Sequence, residues 1–287
     1  MKKLTVFVLP IVLCSIQSIA FAQSVVPKSG FYLGVGASFN SVDASGESME
    51  ATGTSNVYSK TTGAQISSGT ATGPAVNLGM SSQTGFAPVV QAGYFQHIQD
   101  TKWLWGAKFS YNGLDVSARK ENFLIPQNGS FGTTPFTGNA TVRSFKSGVA
   151  NQFSLLPYIG HSFDNSFVYI GAGPTVSQIT TKVDNLVGFA DINGNRMDIS
   201  GVPQNFSSSQ WVVGGALMVG ATYFFDASWF IDASYNISMT PSQTANYSST
   251  YSNTNGLTNN VFAGTLVGSS TGKTTTQTIN LTINKTF

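Results

Sequence analysis

The sequence predicts an all-β protein, an up-and-down antiparallel barrel whose eight strands cross a lipid bilayer. Three observations predict it: a shortage of charge, a period-2 alternation of apolar and polar residues, and connections that alternate between short and long. Only 9% of the 287 residues are charged, although 41% are hydrophobic and 12% aromatic. A soluble domain carries about 25% charge. Gly, Ser, Thr and Asn fill the deficit, with 30 Gly alone. A water-soluble enzyme would need that charge on its surface. The aromatic content argues against disorder, and 14 basic against 12 acidic residues give no electrostatic basis for nucleic-acid binding.

The chain opens with an address. Lys2 and Lys3 precede an apolar run from Leu4 to Leu13, and Ala20-Phe21-Ala22 comes before Gln23. A basic start, a short apolar region and small residues at Ala20 and Ala22 form a secretory signal, with cleavage expected between Ala22 and Gln23. Residues 1–22 are therefore read as the signal and 23–287 as the barrel. Cys14, the one cysteine, falls in the discarded part and follows Leu13 rather than a small residue, which disfavours lipidation. Without Lys2 and Lys3, 12 basic residues face 12 acidic ones, and the mature chain is neutral.

The eight strands follow in order. Phe31, Leu33, Val35, Ala37 and Phe39 oppose Tyr32, Gly34, Gly36, Ser38 and Asn40. A second span covers Phe86–Ile98. In the third, Trp103, Trp105, Ala107, Phe109 and Tyr111 oppose Leu104, Gly106, Lys108, Ser110 and Asn112. Less regular spans cover Gln152–Phe163, Phe167–Val176 and Gln210–Phe225. The seventh sets Trp229, Ile231, Ala233, Tyr235 and Ile237 against Asp232, Ser234, Asn236 and Ser238, and the last sets Ile279, Leu281, Ile283 and Phe287 against Thr278, Asn280, Thr282, Asn284 and Thr286. Each span is long enough to cross a bilayer when tilted. The face opposite the apolar one is too small and neutral for a soluble surface, but it suits a crowded lumen.

Short connections at Gln99–Lys102, Asp164–Asn165 and Asp226–Ser228 carry the Asp and Asn of tight turns. The other four, Asn40–Gly85, Gly113–Asn151, Ser177–Ser209 and Met239–Thr276, are expected to be polar extracellular loops. The first two are long enough to hide a hairpin, which would give ten strands. Aromatic residues gather at the short-turn ends: Phe31, Tyr94, Trp103, Trp105, Phe163, Tyr223 and Trp229, together with Tyr32, Phe95, Phe167, Tyr169, Phe225, Phe230 and Phe287. They are read as a girdle at the periplasmic interface.

A secretory signal, eight alternating strands, four long polar connections and Phe287 closing an alternating final strand together resemble the eight-stranded outer-membrane β-barrel family. That family includes OmpA-like transmembrane domains and opacity-type surface proteins. The resemblance implies residence in the outer membrane of a Gram-negative bacterium, with the loops extracellular. It implies an assembly signal formed by Phe287 with Ile283, Leu281 and Ile279 behind it, read by the outer-membrane assembly machinery, and no cell-wall-binding domain after Phe287.

Candidates for chemistry are few. Gly34-Val-Gly36 and Gly171-Ala-Gly173 lack the following helix of a dinucleotide site and read as lumen glycines. His97 and His161 both fall near the periplasmic turns, and two histidines are short of a catalytic zinc site. No catalytic, cofactor-binding or metal-binding residue is expected. Lys108 and Asp232 are the lumen charges, each needing a partner or water, and pairing across the barrel would make a gate or plug. Lys285 has lipid-facing parity but sits where it can snorkel. The expected function is that of a surface protein with a structural or interaction role, touching lipid and a host or envelope ligand through its loops. In the connection Met239–Gly272, Tyr247 and Tyr251 among Ser, Thr and Asn suit an adaptable binding surface. The alternative is a narrow porin-like channel for small solutes.

Overall fold

The computed structural model describes residues 26–254 and 259–287; the secretory-signal residues, including Ala20, Ala22, Gln23 and Cys14, lie outside them. The described residues form thirteen strands and no helix. In chain order these are β1 (Ser29–Ser59), β2 (Gln65–Thr72), β3 (Val76–Asn77), β4 (Gln83–His97), β5 (Trp103–Asn112), β6 (Val116–Phe131), β7 (Thr134–Ser162), β8 (Ser166–Ile192), β9 (Asn195–Asp198), β10 (Gln204–Phe224), β11 (Trp229–Met239), β12 (Gln243–Thr254) and β13 (Asn260–Thr286).

Eight of them close a ring. The antiparallel pairings run β1–β4–β5–β7–β8–β10–β11–β13 and return to β1, where Tyr32 opposes Thr286 and Phe39 opposes Ile279. Closure leaves no unpaired backbone edge at this level, as a hydrocarbon environment requires. The short turns hold as their sequence dictates. Asp226 Oδ1 accepts hydrogen bonds from the backbone N–H groups of Ser228 and Trp229 at 2.6 and 2.9 Å, and Asp100 turns the β4–β5 hairpin with φ of 59°. The outside of the ring is an apolar belt, with Leu33, Val35, Phe109, Ile170, Leu217 and Leu281 all exposed. Exposed apolar surface on this scale marks contact with lipid.

The four connections expected as polar loops are mostly strand. β1 and β13 stay paired as far as Ser59 and Asn260, and β7 and β8 as far as Thr137 and Asp191. The hidden hairpins exist but do not enlarge the membrane ring. β2 folds back on β1, β6 on β7, β9 on β8 and β12 on β13, while β2 joins β6 through Gly69–Thr72. Together they raise a tower above the membrane barrel. The Ser- and Thr-rich composition hid these strands because their outer face meets water and is polar, whereas in the membrane the outer face is apolar.

The tower interior is apolar. Met49, Ile125, Phe145, Val183 and Leu186 are fully buried there. β10 and β13 keep one inward parity from lumen to tower, but other strands change theirs on the way up. In β1 the inward residues Val42 and Ala44 give way to Glu47, Met49 and Ala51 across a bulge between Ser45 and Ser48, with Gly46 at φ of 66°. β6 switches at Asn122 and β8 at Asn185, with φ of 50° and 52°. Gly and Asn tolerate this left-handed backbone, and one inserted residue turns the following side chains over.

Candidate functional site

Read from the periplasmic end, the interior of the barrel is layered. The first layer is an aromatic stopper of Phe95, Phe167, Phe224 and Phe230, all buried. Phe224 and Phe230 stack with centroids 4.7 Å apart, and Tyr32 meets Phe230 edge-on at 5.3 Å. This corrects the expected girdle. Tyr32, Phe95, Phe167, Tyr169 and Phe230 share the lumen parity and point inward. Phe31, Trp103, Trp105, Phe163, Tyr223, Trp229 and Phe287 are exposed, and Tyr94 packs on Phe31 at 4.7 Å. Lys285 is exposed beside them, its Nζ 5.7 Å from the Trp229 ring and 5.4 Å from Phe287. Ile279, Leu281 and Ile283 face outward on β13.

Three lumen glycines make room for this layer. Tyr32 lies over Gly93, Tyr158 over Gly106 and Tyr169 over Gly220, each at a spot where a Cβ would collide with the ring. These glycines serve close packing of aromatics rather than open space.

Above the stopper sits a charged clasp. Lys108 Nζ on β5 lies 2.7 Å from Asp232 Oδ1 on β11, and both side chains are buried. Tyr169 on β8 donates to Asp232 Oδ2 at 2.7 Å and accepts from Lys108. Three strands well separated around the ring are thus tied across the lumen. The geometry meets the condition for a buried pair, with both charges hydrogen-bonded.

The next layer is polar. Gln91 Nε2 donates to Asn284 Oδ1 at 2.7 Å, and Gln152 Nε2 to both Ser177 and Ser238 at 2.9 Å. The side-chain oxygens of Asn40, Gln91, Asn112, Asn236 and Asn280 are buried with no protein donor. Buried acceptors of this kind call for water as partner, and the belt is polar throughout. It is capped by an apolar ring of Val42, Leu114, Val116, Val149, Ile179 and Val212. Beyond the ring Ser147 donates to Glu47 Oε1 at 2.9 Å, and the apolar tower core follows. Burial raises the Glu47 carboxyl above the usual range, and the Ser147 hydrogen bond opposes it.

Tyr247 and Tyr251 also depart from expectation. Both face the tower core; Tyr247 is hydrogen-bonded to Ser270 and Tyr251 to the Thr54 carbonyl at 3.0 Å. Burial pushes the Tyr247 hydroxyl up to about 12. Strand alternation on β12 decides their direction. Thr244, Asn246, Ser248 and Thr250 take the outer face, and the tyrosines the inner one.

His97 Nδ1 lies 3.1 Å from the Lys28 carbonyl, and His161 packs edge-on against Trp103 at 5.3 Å. Among the described residues, no group of three His, Cys, Asp or Glu could hold a metal ion.

Above the membrane one junction stays open. β11 ends at Met239 opposite Gly215, and beyond that point β10 pairs only with β8 while β12 pairs only with β13. The facing edges of β10 and β12 touch through side chains, with Ser249 donating to Gln204 at 2.6 Å and Phe206 5.6 Å from Tyr247. An unpaired edge is tolerable here because water satisfies it.

No family model and no curated protein matches the chain. Among solved structures it is similar to the outer membrane protein OprG from Pseudomonas aeruginosa, at 10% identity and TM-score 0.38 over 92% of this chain and 98% of that one. It is also similar to Neisserial surface protein A (14%, 0.30, 85% and 99%) and to Ail, the attachment invasion locus protein of Yersinia pestis (13%, 0.26, 83% and 98%). The chain's own strand pairings establish the fold. With a closed ring of eight antiparallel strands and an apolar belt facing lipid, the chain is an eight-stranded transmembrane β-barrel of the outer-membrane type.

Proposed function

We propose that the protein is a surface-display barrel, with a structural or interaction role carried by its tower. The observation that carries this reading is the double closure of the lumen. The Phe95–Phe230 stopper packs one end of the polar belt and the Val42–Val212 ring packs the other. An interior packed with apolar side chains at both levels speaks against a path for solute, whereas the tower strands present an extended outer surface. The β12 face of that surface is uncharged and polar, with Thr244, Asn246, Ser248 and Thr250 in a row, while exposed ion pairs such as Arg119–Glu121 and Arg196–Asp191 lie elsewhere on the tower. Hydroxyl and amide ladders of this kind suit a neutral hydrogen-bonding partner on a host or envelope surface. Catalysis is not part of this reading: the lumen charges Lys108 and Asp232 are held with Tyr169 in the clasp.

The polar belt, with its unpartnered acceptors, favours a second reading, a narrow channel gated by the Lys108–Asp232 clasp. Single-channel recording in planar bilayers separates the two. Silence, with cell or envelope binding lost on placing Asp at Asn246 and Ser248, is the outcome expected for display. Stable openings that change on Lys108→Ala would replace that reading with the channel.

A further inference from the structure

Glu47 is the one carboxylate that the bulge in β1 turns into the tower base. It is 6% exposed. The cavity in front of it has a volume of about 10 Å³ and is lined by Ser147, Thr181, Ser270 and Thr274, with Gln210 and Gln243 at its side. No lining residue is basic. Tyr247, which faces the same part of the tower, has its hydroxyl pushed up to about 12 and is neutral at ordinary pH. The carboxylate therefore lies in a poorly hydrated place without a cationic partner, which is costly when it is ionised. Gly272 on β13 supplies the space, since a Cβ there would collide with the carboxylate.

We propose that this cavity is a site for a small hard monovalent cation of sodium size. Glu47 supplies the one full negative charge, and the hydroxyls and amides around it supply neutral oxygens. Oxygen ligands are the chemistry that hard cations select. The volume admits one water-sized particle, which excludes organic ammonium ions. A single carboxylate balances one positive charge. The open junction between β10 and β12 passes beside the site, with Gln210 on one edge and Gln243 on the other. It gives an ion a route from the extracellular water. A bound cation would tie β1, β7, β8 and β13 together at the level where the membrane barrel becomes the tower.

The test uses the full chain refolded in detergent. Urea unfolding is followed at neutral pH in sodium chloride and in choline chloride at equal ionic strength. The wild type is expected to unfold at a higher urea midpoint in sodium, and Glu47→Gln is expected to abolish the difference. Equal midpoints for the wild type in the two salts would overturn the site, as would a sodium effect that survives in E47Q. Should E47Q fail to fold, sodium-23 relaxation on the wild type decides. Broadening that excess lithium relieves but choline does not supports the site, and no broadening overturns it.

Discussion

Lys108, Tyr169 and Asp232 show how a single buried contact governs a barrel otherwise built from weak polar ones. Substituting Lys108 by Met leaves Asp232 charged and unpaired in the lumen, so a loss of about 3–5 kcal/mol is expected. Replacing both partners by well-packed apolar residues is expected to recover most of it, and urea midpoints of the two variants check the difference. Gly106→Val tests the packing reading of the lumen glycines. The added carbons displace the Tyr158 ring, and overpacking of this kind costs about 1–3 kcal/mol. Glu47 gives a pH signature. Its carboxyl is raised by burial, so the folded state binds the proton more tightly than the unfolded chain does. In choline chloride, stability is therefore full below the ordinary carboxylate range and falls as pH rises through the raised value. E47Q is expected to be flat across that window, measured by midpoints at successive pH values. The pairing partners of Lys108 and Asp232 could be sought from parity alone, because both stand on the lumen face. Glu47 could not, since its direction depends on a bulge.

At the scale of the strand, the decisive events are the changes of parity at Gly46, Asn122 and Asn185. Inserting one Ala after Gly46 would turn Met49 and Ala51 outward and Ser48 and Glu50 inward. The expected result is a membrane barrel that still forms beneath a tower open to protease between Ala44 and Ser59, read by mass spectrometry of digests on intact membranes. Phe145→Ala empties a fully buried position in the tower and is expected to cost about 3–5 kcal/mol. These switches explain what the sequence showed and concealed. All eight spans were legible because lipid outside and a polar lumen inside produce clean alternation over ten residues, as in Trp229–Ser238. The tower strands alternate too, but they bury Ala, Val and Tyr against small polar residues and change phase partway. A pattern search in one phase sees only a polar loop. The inward aromatics misled for a related reason: Tyr32 and Phe230 neighbour true girdle residues in sequence, and only the pleat separates lipid from lumen.

At the scale of the whole molecule, the protein is two solvent problems joined end to end. Below, lipid surrounds it and the interior holds a polar belt and a charged clasp; above, water surrounds it and the interior is mainly apolar. Limited proteolysis is expected to respect both halves. Cuts should fall at the hairpin tips, such as 60–64 and 193–194, and spare most of the long connections between the spans. Because each tower strand keeps every second residue inside, freedom to vary is distributed as a comb rather than as a block. A complete substitution scan scored for surface expression would trace a sawtooth along β1, tolerant at one residue and intolerant at the next. The teeth would slip by one position at Gly46. A population of such proteins under pressure to change its outward appearance could alter only alternate letters of its tower. Diversity at that surface would then read as a ruled pattern whose phase records where the membrane ends.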